Sequence, residues 1–324
     1  MMHTTGPLEI HHETLLRTAL QPPYDGMFAW SIRNGVGESP VWDADAGRLF
    51  WIDIRAPAVL CLDPATGALT RWLLPEVVGA LGLAGDRQVV LALQHHLALL
   101  DTPSGMLRHF ADIPGEAVTN RLNEGKVSPD GRWFVFGSMD DRASNKEPVG
   151  ALYRAGTDGT VQRLFVGVTV ANGIAWAPDG AWIHFSDSSA GTIWRAPWNE
   201  VQGVMGRPVL FASSLENAGR PDGALMDLDG NYLSAGVSAG CLNTFDRLGA
   251  RVGQRALPVR APTMPCVGGA DGSRLFVTSL VRPGWDTSAT LDGTLIEMAA
   301  PCRAATAVRW RLAGVAARQG PGGA

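Results

Sequence analysis

The chain has 324 residues, of which 46% are hydrophobic and 18% are charged, so it can bury a large apolar core and is not a disordered, highly charged chain. The formal net charge of −4 argues against a nucleic-acid-binding protein, which would carry an excess of basic residues. The length fits either about two average domains or one large closed all-β domain.

The start of the chain lacks the pattern of a secretory signal peptide, a basic stretch followed by an apolar run. The apolar run at 89–93 is far shorter than the ~20 residues that a membrane helix needs. The four cysteines are widely spaced and form no CxxC pair, which argues against disulfides and zinc ligands. We therefore expect a cytoplasmic protein with neither a membrane nor a nucleic acid as its partner.

Further along the chain, one pattern recurs: a tight turn containing Asp or Gly precedes a run of apolar, β-branched or aromatic residues. Such runs are typical of buried strands, and Asp or Gly suits hairpin turns with positive φ. There are six such turns, spaced about 40 to 50 residues apart. They are Asp45-Ala46-Gly47, Gly85-Asp86, Asp130-Gly131, Asp179-Gly180, Asp229-Gly230 and Asp271-Gly272.

Most of these turns are followed by a second hairpin, for example at 61–69 and 99–105. Two hairpins make four strands per repeat, and four strands at this period are typical of a propeller blade. The sequence therefore predicts an all-β fold, a six-bladed β-propeller with four-stranded blades. A β-sandwich with fortuitous turns is the alternative, but six evenly spaced repeats fit it poorly.

The predicted domain organisation has three parts. Residues 1–27 are expected to be an irregular N-terminal arm, residues 28–315 a single propeller that forms the catalytic domain, and residues 316–324 a flexible C-terminal tail. Because a propeller ring must close, a terminal strand should join the blade at the other end of the chain. The alternating stretch 306–312 is our candidate for that strand.

Blade topology predicts which side chains meet. The recurring turn joins the first strand to the second at one face, so residues before the first strand and after the second meet at the opposite face. In four repeats an oxygen-bearing side chain stands seven residues before the Asp of the turn: Glu38, Asn123, Asn172 and Asp222. One such residue could simply cap a strand, but four in register favour a site. Carboxylate and amide oxygens suit calcium, magnesium or manganese, and tolerate iron(II) or zinc.

At these residues the chain resembles the regucalcin/gluconolactonase family (senescence marker protein, luciferin-regenerating) of six-bladed propellers. Each matching segment is short, but their order and common register make the combination specific. The segments are 37–42 (GESPVW), 121–126 (RLNEGK), 171–176 (ANGIAW), 221–223 (PDG) and 262–269 (PTMPCVGG). Two positions depart from the family pattern: Glu124 stands where the family usually has Asp, and Leu122 where an aromatic residue is common.

The resemblance implies one divalent metal cation (calcium, zinc, iron(II), manganese or magnesium) held by Glu38, Asn172 and Asp222. It also implies substrate contacts from Arg121, Asn123 and Asp141, and the role of general base for Asp222. The implied reaction is hydrolysis of a sugar lactone to the aldonic acid, in which metal-activated water attacks the lactone carbonyl. The alternatives are an ester or phosphotriester hydrolase of the propeller type and a non-catalytic calcium-binding regulatory protein.

Three further features have competing interpretations. The segment 236–240 matches the G-x-S-x-G motif of serine hydrolases, but that motif needs a strand-to-helix turn and the following residues indicate a strand. His95 and His96 could form a polar hairpin tip, or could contact substrate at the channel mouth. His184 lies inside a predicted strand and is expected to be a packed core histidine.

Overall fold

The structure is a computed structural model that describes residues 6–214, 216–287 and 290–312. Its secondary structure is almost entirely β, with one short 3₁₀ helix at Glu216–Ala218. The strands of the described residues, in chain order, are β1 (Gly6–Pro7), β2 (Ile10–Thr14), β3 (Arg17–Ala19), β4 (Met27–Trp30), β5 (Gly37–Asp43), β6 (Arg48–Asp53), β7 (Ala58–Leu62), β8 (Ala68–Leu73), β9 (Val78–Ala84), β10 (Gln88–Leu93), β11 (His96–Asp101), β12 (Met106–Asp112), β13 (Asn120–Val127), β14 (Trp133–Asp140), β15 (Gly150–Gly156), β16 (Val161–Val168), β17 (Ala171–Trp176), β18 (Trp182–Asp187), β19 (Thr192–Asn199), β20 (Val204–Met205), β21 (Val209–Ser213), β22 (Pro221–Met226), β23 (Tyr232–Gly236), β24 (Cys241–Phe245), β25 (Arg251–Ala256), β26 (Pro262–Gly268), β27 (Arg274–Ser279) and β28 (Leu295–Ala299).

The strands form six antiparallel sheets, which we number as blades 1 to 6 in chain order from β5. Their innermost strands are β5, β9, β13, β17, β22 and β26, and each contacts the next around a closed ring. The predicted all-β, six-bladed propeller is confirmed. The expected four strands per blade hold for blades 3 and 5, whereas the other four sheets contain a fifth strand. The extra strands are short and pair at or near the outer edges of these sheets.

The ring closes differently from the expectation. Blade 6 is completed by the N-terminal strand β4, which pairs antiparallel with β28, and β3 adds to the edge of β4. The segment before residue 28 is therefore not irregular, since β1 and β2 also pair with blades 2 and 1. The predicted closing stretch 306–312 is not a regular strand. In it, Trp310 is buried and makes one parallel bridge to Ala84, at the end of β9.

The apolar core lies between neighbouring blades. Phe134, Phe136 and Tyr153 of blade 3, for example, share a cluster with buried alanine and leucine side chains of blade 2. Burial of each large apolar side chain contributes about 1.5–3 kcal/mol to folding. No helix in the described ranges is long and apolar enough to span a membrane. The predicted tail 316–324 lies outside the described residues.

Every innermost strand contains a β-bulge at the same level, where its register with the second strand shifts. A bulge inserts one extra residue, bends the strand and redirects the neighbouring side chain. Two non-glycine residues at these bulges have positive φ, 50° at Ser39 and 21° at Glu124. Gly173, with a φ of 65°, supplies the same left-handed conformation in blade 4 without a Cβ penalty.

Candidate active site

The four polar residues that the sequence places in register all lie at these bulges. They were expected just before the innermost strands, but they lie inside them: Glu38 in β5, Asn123 in β13, Asn172 in β17 and Asp222 in β22. All four side chains are buried, with 4–8% of their surface exposed. The bulges turn these side chains toward the end of the channel opposite the recurring Asp-Gly turns.

A chain of hydrogen bonds joins several of these residues. Arg121 Nε donates to Asp141 Oδ1 at 3.1 Å, and Arg121 Nη1 donates to Asn123 Oδ1 at 2.7 Å. Asn123 Nδ2 donates in turn to Asn172 Oδ1 at 2.8 Å, and Asn172 Nδ2 donates to Ser188 Oγ at 2.8 Å. Each side chain therefore fixes the rotamer of the next across blades 3 and 4. The structure thus brings Arg121, Asn123, Asp141 and Asn172 together.

The two carboxylates, Glu38 and Asp222, form the acidic part of the site. Burial, together with the charges of Asp222 and Glu124, holds the pKa of Glu38 well above its usual range. Burial, followed by the charge of Glu124, raises the pKa of Asp222 to about 8. Each shift expresses the cost of holding a negative charge in a buried place among like charges. A cation between the two carboxylates would remove most of that cost.

The residues present fit a divalent cation on two further observations. Glu38 Oε2 accepts a hydrogen bond from Ser39 N at 2.6 Å, whereas Glu38 Oε1 is buried and without a hydrogen-bond partner. The set of Glu38, Asn172 and Asp222 offers only hard oxygen donors, which suit such an ion. The described residues contain no group of three or more His, Cys, Asp or Glu arranged to hold a metal, and this set has only two members of those types.

Glu124 and Lys126 lie deeper in the channel, and the sequence did not identify them as site residues. Glu124 accepts hydrogen bonds from Gly173 N at 2.5 Å and Ile174 N at 2.8 Å. Burial raises the pKa of Glu124 to about 7, against the opposing charge of Lys126. Lys126 donates to the carbonyls of Ile174 and Ala224, so this pair ties the innermost strands of blades 3, 4 and 5 together.

Beyond Lys126 the channel opens into an apolar cavity of about 240 Å³ at its other end. Trp42, Trp176 and Met264 line this cavity, and residues 304–308 form part of its wall. It contains none of the four residues at the bulges. The polar mouth is therefore the end of the channel with the groups that hydrolysis needs.

Most of this propeller matches a known protein family. Residues 36–281 match the SMP-30/Gluconolactonase/LRE-like region family. This chain belongs to that family.

Among its relatives, a 6-deoxy-6-sulfogluconolactonase from Pseudomonas putida is 34% identical over 75% of this chain and 83% of its own length. An L-arabinolactonase from Azospirillum brasilense is 32% identical over 80% of this chain and 85% of its own. A crystal structure of regucalcin from Agrobacterium tumefaciens, described as a calcium-binding protein, superposes with a TM-score of 0.81. It is 27% identical and covers 87% of this chain and 95% of its own.

The serine-hydrolase interpretation fails on local structure. Residues 237–240 connect β23 to β24 in a hairpin, with no helix after the serine. Ser238 Oγ accepts a hydrogen bond from Arg220 N at 3.0 Å, as a turn residue does. The segment 236–240 therefore lacks the strand-to-helix turn that a serine nucleophile of this motif needs.

The three histidines considered in the sequence lie in different environments. His95 is half-buried, and its Nε2 lies 2.7 Å from the carbonyl oxygen of Asn120, beside the start of β13. His96 is buried in β11 and stacks on His109 at 5.2 Å, so it is a packing residue. His184 is buried against Phe211, as expected for a core histidine, and burial lowers its pKa to about 4.

Proposed function

We propose that this chain hydrolyses a sugar lactone to the open-chain aldonic acid. The observation that carries the proposal is the buried pair Glu38 and Asp222, set at equivalent bulges beside the bonded series Arg121, Asn123 and Asn172. The relatives named above as lactonases support the same reaction class. Their names cover different sugars, so the proposal specifies a class of substrate.

Glu38, Asn172 and Asp222 would hold one divalent cation, of calcium, magnesium, manganese, iron(II) or zinc. Such a cation supplies Lewis acidity toward a carbonyl oxygen and lowers the pKa of bound water. The regucalcin structure, described as calcium-binding, supports calcium as the first ion to test.

Asp222 acts as the general base. Its carboxylate accepts a proton from the water that attacks the lactone carbonyl carbon. The tetrahedral intermediate then collapses, the bond from this carbon to the ring oxygen breaks, and the ring oxygen takes up a proton to become a hydroxyl.

Arg121 and Asn123 position the substrate. The Asn123 amide is already engaged on both sides, by Arg121 and by Asn172, so its role is to fix these neighbours. Arg121 Nε and Nη1 donate to protein oxygens, whereas Nη2 takes part in none of these bonds. This nitrogen is the donor we assign to a substrate hydroxyl, and Asp141 keeps the guanidinium in place.

The test is acid release from a panel of hexono- and pentonolactones, corrected for spontaneous hydrolysis. We expect hydrolysis by the metal-reloaded enzyme and loss of activity after chelation. An aryl ester and a phosphotriester in the same assay test the alternative hydrolase activities. Lactone hydrolysis no faster than in buffer, with every divalent cation tried, would refute the proposal and leave a non-catalytic calcium-binding role.

A further inference from the structure

Two arginines from different blades meet on one carboxylate oxygen at the mouth of the channel. Arg55 follows β6 in blade 1, and Arg121 lies in β13 of blade 3. Arg55 Nη2 and Arg121 Nε each lie 3.1 Å from Asp141 Oδ1. The side chain of Arg121 is 8% exposed and that of Arg55 is 54% exposed. Two guanidinium groups thus share one negative charge and leave an excess of positive charge.

A third cation lies beside this pair. Lys146, in the loop after β14, donates from Nζ to the carbonyl oxygen of Asp140 at 2.5 Å. Burial is the first cause that lowers the pKa of Lys146; the charges of Asp141 and Asp140 oppose this shift, and those of Arg121 and Arg55 add to it. The Asp140 carboxylate offsets this positive charge only in part, because it also pairs with Arg142 at 2.6 Å.

The cationic group lies at the same mouth of the channel as Asp222. Arg121 and Arg282, which follows β27 in blade 6, both act on the charge of Asp222. Glu76 is another acid on this face, but it accepts a hydrogen bond from Gln94 N and lies 3.8 Å from His96. Arg55, Arg121 and Lys146 therefore form a positive corner of the mouth that Asp141 neutralises only in part.

We propose that the natural lactone carries an anionic group, a sulfonate, phosphate or carboxylate, and that Arg55 and Lys146 bind it, while the neighbouring Arg121 adds positive charge and binds a sugar hydroxyl. This inference rests on the proposed lactone hydrolysis, because the corner lies at the same mouth. The planar, forked guanidinium donors fit the oxygens of such anions, and the ammonium adds a point charge. The anionic group sits at the end of the sugar away from the carbonyl, which has to reach Asp222. Arg55 and Lys146 are thereby specificity-determining residues.

The experiment compares glucono-lactone with 6-phosphogluconolactone on wild-type enzyme, Arg55→Gln and Lys146→Gln. Arg71→Gln is the matched control, because Arg71 also pairs with a carboxylate, Glu13, but on the outer strands of blade 1. We expect the wild-type KM to be about tenfold lower for the phosphorylated lactone, as one or two charge-assisted bonds provide. Arg55→Gln should raise that KM about tenfold, with a clearly smaller change for the neutral lactone and in kcat.

Added salt should raise the KM for the charged substrate alone, because screening weakens the attraction of exposed charges. A sulfonated and a carboxylated lactone in the same assay identify which anion is preferred. A wild-type enzyme without preference for any charged lactone would overturn the inference. The same holds if Arg55→Gln raises the KM of neutral and charged lactones equally.

A binding measurement separates this inference from the hydrolytic function. Calorimetric titration with 6-phosphogluconate should show binding to wild type and to Arg71→Gln, and about tenfold weaker binding to Arg55→Gln and Lys146→Gln. Binding with this pattern but without hydrolysis of any lactone would refute the proposed function and support the anion site. Hydrolysis without a difference between the variants in binding would refute the anion site and support the proposed function.

Discussion

The six innermost strands carry the same backbone feature but different side chains. In blades 1, 3, 4 and 5 the bulge presents Glu38, Asn123, Asn172 and Asp222. In blade 2 the bulge begins at Val78, which is completely buried. In blade 6 it includes Thr263, whose hydroxyl donates to the Gly37 carbonyl at 2.6 Å and lies 2.8 Å from Thr278 Oγ1.

The difference shows how a symmetric fold acquires an asymmetric site. The bulge recurs in every blade, so the backbone supplies equivalent positions around the ring. Chemistry depends on which of these positions carry carboxylate or amide oxygens. At Val78 the position serves packing, and at Thr263 the hydroxyl is used within the protein. Mutations of the carboxylate and amide residues should therefore reduce activity, whereas mutations of the packing residues should reduce stability.

The largest effect is expected for Asp222→Asn. The amide keeps the shape of the side chain but is a far weaker proton acceptor, so kcat/KM should fall by about 10³-fold. Initial rates of acid release at saturating metal measure the loss, and circular dichroism checks that the fold is retained. Activity within about tenfold of wild type would remove Asp222 from the role of base.

Val78→Ala should have the opposite effect: a loss of stability with little loss of activity. Removing two methyl groups from a fully buried position costs about 2 kcal/mol of stability, measured by urea unfolding. The catalytic efficiency of the folded enzyme should stay within about twofold of wild type, because Val78 offers no ligand or proton acceptor. A large loss of kcat at unchanged metal affinity would show that blade 2 shares in the chemistry and would break the comparison.

Asn123→Ala tests the link between the bulges. Without this amide, Arg121 loses one acceptor and Asn172 loses one donor. We expect kcat/KM to fall about tenfold, as the loss of one well-placed polar contact does. Steady-state kinetics measure the loss, and Asn123→Asp is the informative companion because it restores the acceptor for Arg121 but not the donor to Asn172. Unchanged kinetics in both variants would mean that the site does not depend on this network.

The smallest effect concerns a buried ionisable group outside the ring of bulges. Burial, and then the charge of Arg195, lowers the pKa of His184 to about 4, whereas an unfolded histidine titrates near 6.5. Between these two pKa values the unfolded chain binds a proton at His184 and the folded chain does not. The stability that neutral His184 contributes is therefore complete above the pKa of the unfolded chain, and it declines as the pH falls below that pKa. From pH 7 to pH 5.5 the loss should be about 1 kcal/mol.

His184→Gln removes this titration, so its unfolding free energy should depend less on pH over that interval than that of the wild type. Urea unfolding of both proteins at several pH values measures the difference. Equal slopes would show that His184 titrates alike in the folded and unfolded states.

The turn pattern predicted much of the fold because Asp-Gly turns recur once per blade and each precedes a buried strand. Closure was missed for a physical reason. Asp25-Gly26 marks the turn between β3 and β4, but β28, the strand that makes β4 part of blade 6, lies near the other end of the chain, so no local pattern indicates the closure. The stretch 306–312 alternates as a strand does, but the edge of β28 is already occupied by β4. Trp310 instead packs against Phe110 and Phe134.

The constant spacing to the recurring turn located Glu38, Asn172 and Asp222, because each of them stands seven residues before the Asp of the turn in its blade. It did not indicate bulges, since an extra residue in one strand becomes visible only when the strands pair. Glu124 was read as a departure from a family pattern, yet it is buried and held by two backbone amides. The contact of Arg55 with Asp141 spans 86 residues and has no local signal.

The most direct test is calorimetric titration of chelated protein with calcium, and then with manganese and zinc. Wild type and Val78→Ala should each bind one equivalent of at least one cation. Glu38→Gln and Asp222→Asn should bind it about 100-fold more weakly or not at all, because each loses a charged oxygen donor. Equal affinity in all four proteins, or no binding by wild type, would contradict a metal site at the bulges of blades 1, 4 and 5.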